Sequence, residues 1–153
     1  MTTEKNFQGK HALYLEDQLD KVKAITDFLE GYLGLEVTKV ETPEAAFDVM
    51  STQKFDIIIL DIRLLNGSET QDGKYIEWQR FGLYFIQELR SGNIKGPTPA
   101  GVPVLVITCV VSTPDVEKLC QIGVSAGGRY RYISKPVLRL SFVEDAVNQL
   151  FAE

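Results

Sequence analysis

A chain of 153 residues, 44% hydrophobic and 24% charged, is long enough to bury one full core and is composed like an ordinary soluble globular domain. A net charge of −5 argues against a general nucleic-acid or anionic-membrane surface, and no run approaches the ~18 apolar residues of a membrane span. The polar segment 1–10 carries no secretory signal, and Cys109 and Cys120 lack metal-like spacing and lie in apolar stretches, so buried reduced thiols in a cytoplasmic protein are expected.

The first strand is Ala12-Leu13-Tyr14-Leu15, opened by His11, which reads as structural or exposed. Glu16 and Asp17 follow it. Val22, Ile25, Leu29 and Leu33 then recur at helical spacing, and Gly34 is placed to cap that helix in a left-handed conformation. The next strand, about Leu35 to Val40, is polar enough for a sheet edge. Thr42-Pro43 is an N-cap followed by proline in the first turn, and the helix behind it carries Ala46, Phe47 and Met50 on one side.

Phe55 to Leu60 contains the most informative run, Ile57-Ile58-Ile59-Leu60, which ends in Asp61. A short, β-branched stretch that is apolar on both faces predicts a strand in the middle of a parallel sheet. A carboxylate at its carboxyl end emerges where open α/β sheets bind ligands. Asp56, at the other end, reads as a surface residue opening the strand. Residues 64–80 read as irregular, with turn chemistry at Asn66-Gly67-Ser68 and Asp72-Gly73.

A helix is expected from near Phe81 to about Arg90, with Leu83, Ile86 and Leu89 buried. After a glycine- and proline-rich loop, Pro103 to Ile107 predicts a fourth strand ending at Thr108. Thr113-Pro114 repeats the capped helix start, and that helix runs to about Ile122. Residues 123–128 make a flexible connection to a fifth strand, Tyr130 to Ile133. Ser134, Lys135 and Pro136 follow it. Ser141 to Glu144 fits a capping box for a last helix through Leu150. Strict alternation of strands and helices predicts an α/β fold: a parallel five-stranded sheet, doubly wound, with helices on both faces. One edge of it would collect carboxylates for a hard divalent cation, a carboxylate nucleophile, and a hydroxyl and an ammonium for an incoming anion.

Leu13-Tyr14-Leu15-Glu16-Asp17, Asp56 through Asp61, Val104 through Thr108, and Tyr132 through Pro136 stand in order, each at a strand end. With these four segments the chain resembles the receiver domain of two-component response regulators, the CheY-like superfamily, from about His11 to Phe151. The resemblance implies a flavodoxin-like (βα)5 fold with strand order 2-1-3-4-5, and a single receiver domain over 11–153 with an insertion at about 66–80. It implies that Asp61 accepts a phosphoryl group from a histidine kinase or phosphotransfer protein. Glu16 and Asp17 would hold Mg²⁺, with Asp61 and the backbone carbonyl of Arg63 completing the protein ligands. Thr108 would hydrogen-bond the phosphoryl group, Lys135 would pair with it, and Tyr132 would be the aromatic switch residue. A downstream protein or output domain would read the switch, with no direct part for nucleic acid or membrane and no enzymatic activity beyond self-phosphorylation and self-dephosphorylation. Whether the chain acts alone or as a domain of a longer protein stays open.

Several positions depart from the family pattern. Leu64 stands where proline is common, and the insertion, with Trp78, could be a lid, a docking surface or a solvated loop. Arg63 could hold a phosphoryl oxygen or obstruct attacking water, and Cys109 replaces a smaller residue. An unphosphorylated interaction module of the same fold is the alternative. A phosphatase of haloacid-dehalogenase type is disfavoured by Arg63, where a second acid is needed. A flavin-binding protein is disfavoured by Glu16-Asp17, where a phosphate loop is needed.

Overall fold

The computed structural model of the protein describes residues 7–61, 68, 69, 75, 76, 78–108, 113–134, 137 and 139–152. Five strands form one parallel sheet: β1 (His11–Leu15), β2 (Glu36–Val40), β3 (Ile57–Leu60), β4 (Val104–Thr108) and β5 (Tyr130–Ser134), in the order β2-β1-β3-β4-β5. This is the flavodoxin-like order expected from the sequence. Burial follows position. Ile57 to Leu60 and Val104 to Thr108 are buried throughout, whereas β2 and β5 are partly exposed, as edge strands are.

The helices divide between the two faces because alternate residues of each strand point to opposite sides. Ala12, Tyr14, Ile57, Ile59, Leu105 and Ile107 pack with Val22, Ile25, Leu29, Leu33, Val143, Val147 and Leu150. The first helical segment, α1, is continuous but mixed: a 3-10 turn Leu19–Val22, an α-helical turn Lys23–Asp27 and a π turn Phe28–Tyr32. Gly34 closes it at φ 83°. On the opposite face Leu13, Leu15, Ile58, Leu60, Val104 and Val106 pack with Ala46 and Met50 of α2 (Pro43–Met50) and with Phe85, Ile86 and Leu89 of α3 (Trp78–Arg90). The expected cap on α2 is present, with the Ala45 N–H donating to Thr42 Oγ1 at 3.1 Å and Pro43 in the first turn. The last helices are α4 (Thr113–Gly123) and α5 (Leu140–Ala152).

Several expectations are corrected. Within the insertion, Ser68–Glu69 pairs antiparallel with Tyr75–Ile76, so the stretch read as irregular contains a small hairpin. Helix α3 begins at Trp78, three residues before the apolar Phe81 that marked its start in the sequence. Helix α5 begins at Leu140, which puts Ser141 inside its first turn and not at the cap. The connection after α4 holds a 3-10 turn, Ser125–Gly127, with Ala126 in the left-handed region at φ 55°. Cys120 is exposed and free; on α4 its neighbours Gln121 and Ile122 grade inward to the buried Gly123, and the cysteine falls on the outer side of that turn. Arg63, Cys109 and Lys135, with the turn residues Asn66, Gly67, Asp72 and Gly73 and the side chain of Trp78, lie outside the described residues.

At the amino edge of the sheet one side chain ties four segments together. Arg90 ends α3, and its guanidinium donates to the carbonyls of Gly123 (2.7 Å), Ala100 (2.7 Å), Val102 (2.6 Å) and Arg129 (2.9 Å). These come from the end of α4, the loop before β4 and the residue before β5.

Candidate functional site

The carboxyl edge of the sheet gathers the polar residues that the strands themselves exclude. β1 and β3 run parallel in register, with Leu15 opposite Leu60, so the next residue on each strand, Glu16 and Asp61, are neighbours. The pairing continues past the strands, because the Asp61 N–H donates to the Leu15 carbonyl at 3.1 Å and the Glu16 N–H to the Val40 carbonyl at 3.0 Å. Both side chains are almost fully enclosed, Glu16 at 1% and Asp61 at 4% exposure. Glu16 also accepts the Gln18 N–H at 3.2 Å, which starts the turn into α1. Asp17 is half-buried beside it.

Thr108 is the last residue of β4 and is fully buried. Its hydroxyl donates to Asp61 Oδ1 in a short hydrogen bond. A threonine closing one strand is thereby bonded to the carboxylate that follows the neighbouring one. Across β5, Ser134 lies opposite Thr108 and Tyr132 opposite Val106. Tyr132 is half-buried and packs against the core cluster that contains Val104 and Val106. Lys135, the residue after β5, lies outside the described residues, as does the carbonyl of Arg63.

The structure therefore brings Asp61, Glu16 and Thr108 together. Among the described residues, no group of three His, Cys, Asp or Glu side chains is drawn close enough to hold a metal ion by itself. Mg²⁺ asks for less than that: it keeps several waters and takes one or two carboxylates plus phosphate oxygens. Two adjacent buried carboxylates repel each other, and a hard divalent cation relieves that repulsion. The donor set is all oxygen, so the residues present fit such an ion.

Asp56 accepts the His11 backbone N–H at 2.8 Å at the far end of the sheet, away from the cluster. His11 packs half-exposed near Glu36 and Gln53. Two residues were not singled out by the sequence. One is Arg90. The other is Tyr14, which reads as an ordinary apolar strand residue. It stands two positions before Glu16, and therefore on the same face of β1; that parity is the signal that could have found it.

Among the described residues no helix is long and apolar enough to cross a membrane. No family model matches the chain, and no curated protein matches it. Solved structures do. A two-component response regulator from Clostridium difficile superposes with a TM-score of 0.67 at 20% identity, over 94% of this chain and 97% of that one. The receiver domain of a sensor histidine kinase from Pseudomonas aeruginosa, with a magnesium ion coordinated in its active-site cleft, gives 0.67 at 22% identity, over 95% and 99%. A response regulator protein from Burkholderia pseudomallei with a phosphorylated aspartic acid, calcium ion and citrate gives 0.63 at 20%, over 90% and 65%. The five-stranded order, the matched length on both sides and the buried acids at the carboxyl edge together give this chain the fold of response-regulator receiver domains.

Proposed function

We propose that the protein is a phosphorylation-dependent signalling receiver, with Asp61 the phosphoacceptor. One observation carries the reading. A nearly enclosed carboxylate ends the central strand, with a buried acid on one side and a buried threonine hydroxyl bonded to it on the other. Structural packing alone gives no reason to bury two acids side by side, because each carries a desolvation cost and they repel.

The chemistry follows from that placement. An Asp61 carboxylate oxygen attacks the phosphorus of a phosphohistidine on a histidine kinase or phosphotransfer protein. An O–P bond forms, the N–P bond breaks, and the imidazole leaves. Glu16, Asp17, Asp61 and the backbone carbonyl of Arg63 would hold Mg²⁺, which supplies charge neutralisation for the incoming phosphoryl oxygens. Lys135 follows β5 in the chain, two positions along from Ile133, and would pair with the same oxygens. The two similar structures that carry a magnesium ion, or a calcium ion with a phosphorylated aspartic acid, support this reading.

The signal is a change of charge read as a change of packing. Aspartate at about −1 becomes an acyl phosphate at about −2. The Thr108 hydroxyl, now donating to Asp61, turns to a phosphoryl oxygen, and Tyr132 follows into the space this leaves. To move such a switch from 1:99 to 99:1 the new contacts must favour the active state by about 5.5 kcal/mol. A downstream protein or output domain, acting in the cytoplasm, would bind the altered face. Apart from self-phosphorylation and self-dephosphorylation the protein would not be an enzyme.

The test is the conformational response. Amide spectra are recorded with Mg²⁺ before and after adding acetyl phosphate. Thr108 and Tyr132 should shift in wild type, and Thr108→Ala should weaken the response while still taking label. A protein that takes label with no shift at either residue would contradict the switch.

A further inference from the structure

Tyr14 is fully buried, and among the described residues its hydroxyl, like that of Tyr130, has no hydrogen-bond partner. That is unusual, since leaving a buried donor unpaired costs about 1–3 kcal/mol. A phenylalanine would fill the same space in the apolar layer without the cost. Ala12, Ile57, Ile59, Val22, Ile25 and Val147 belong to the same apolar cluster.

The sheet register shows which polar residues share its face. Tyr14 is paired with Ile59, and one alternation further on lie Glu16 and Asp61. The four residues form a square on one face of the sheet, with Tyr14 behind Glu16 and diagonal to Asp61. A two-residue step along a parallel strand is about 6.6 Å, comparable to the reach of a tyrosine side chain. A phenol carries its proton at neutral pH, so toward those acids it can act only as a donor.

We propose that Tyr14 is a positioning residue for the metal-binding carboxylates, its hydroxyl donating to Glu16, directly or through one water, when a divalent cation is bound. Glu16 is the partner because it follows Tyr14 on the same strand and face, whereas Asp61 lies diagonally across on the neighbouring strand. Carboxylates that ligate metals are themselves held by hydrogen bonds, and losing such an outer partner typically lowers metal affinity by 10–100-fold. The inference rests on the metal reading of the site given above.

Mg²⁺ and Mn²⁺ titrations of wild type and Tyr14→Phe, followed by the amide shifts of Gln18 and Asp61, separate the two readings. Thermal melting of both proteins without metal completes the experiment. Tyr14→Phe should bind the metal about 10-fold more weakly. Its metal-free melting temperature should equal or exceed wild type, because an unpaired hydroxyl has gone. A wild type that binds metal together with a Tyr14→Phe variant of equal affinity would overturn the role of the tyrosine alone. A weaker variant that also melts lower without metal would overturn it too, by making the effect structural. A wild type that binds no divalent cation would overturn the metal reading itself, and this inference with it.

Discussion

Replacing Arg90 by methionine keeps an apolar stem of similar length and removes the guanidinium. The side chain is only 5% exposed, and its donors reach four backbone carbonyls at 2.6–2.9 Å. Hydrogen bonds to a charged group contribute about 1.5–3 kcal/mol each, and a carbonyl left unpaired in the interior costs about 1–3 kcal/mol. Against this stands the cost of burying the cation, visible in a guanidinium pulled down to about 10 by desolvation. The Gly123 carbonyl ends α4, where the helix dipole favours a positive charge and recovers part of that cost. With four carbonyls left unpaired at about 1–3 kcal/mol each, offset by the burial cost of the cation that is no longer incurred, a net loss of about 3–5 kcal/mol is expected for Arg90→Met. It is a large share of the roughly 5–15 kcal/mol that holds a domain folded. Arg90→Lys should lie between, because an ammonium has three donors and no fork with which to span four carbonyls. Urea unfolding at pH 7 measures all three proteins. A loss under about 1 kcal/mol for Arg90→Met would show that water replaces the clamp and would refute its role.

The clamp should also couple to Gly128, because a Cβ there would stand 2.2 Å from Arg90 Nε. Gly128→Ala should cost about 1–3 kcal/mol in wild type and clearly less in the Arg90→Met background; equal costs in both would deny the contact. At high pH the two buried tyrosines dominate. Desolvation raises the Tyr14 and Tyr130 hydroxyls well above 10.0, so their contribution is intact below pH 10 and is lost as the pH rises further. Each should cost about 1.4 kcal/mol per pH unit above 10, for a loss of about 2.8 kcal/mol per unit from the pair. Urea midpoints between pH 9 and 11 should therefore fall for wild type and fall about half as steeply for Tyr14→Phe, and an equally steep fall in the variant would contradict this assignment. Replacing residues 68–76, which hold the small hairpin and follow Asp61 closely in the chain, by a short Gly-Ser turn should leave the sheet folded and change the rate of labelling from acetyl phosphate. Unchanged kinetics and partner binding would show the hairpin to be passive.

The sheet was legible because its central strands are apolar on both faces and each is followed by a polar residue that cannot continue inward. Ile57 to Leu60 needs no context to be read as a middle strand, and Thr42-Pro43 announces its helix by local chemistry alone. The strand order came with the resemblance and not with any periodicity. The hairpin escaped notice because two-residue strands are too short to show alternation, and turn residues crowd around them. The onset of α3 was misplaced because the eye follows apolar Phe81, while Trp78, Gln79 and Arg80 are equally willing helix residues. The π turn in α1 has no sequence signature that we can identify. Arg90 was illegible for a different reason: its partners are backbone carbonyls, and a carbonyl carries no residue identity. At the site, the sequence placed Asp61, Glu16 and Thr108 at one sheet edge. The bond between Thr108 and Asp61, and the orphaned Tyr14 hydroxyl, required the register.

The most direct measurement of the central claim is intact mass after incubation with acetyl phosphate and Mg²⁺, for wild type and Asp61→Asn. The account predicts one added phosphoryl mass on wild type, labile to base and to hydroxylamine as an acyl phosphate is, and none on Asp61→Asn. It also predicts that Lys135→Ala keeps some label. A wild type that binds Mg²⁺ yet takes no label from acetyl phosphate or from any histidine kinase would contradict the phosphoacceptor assignment, and an unphosphorylated interaction module would then be the better account. Equal labelling of Asp61→Asn would place the chemistry elsewhere in the chain.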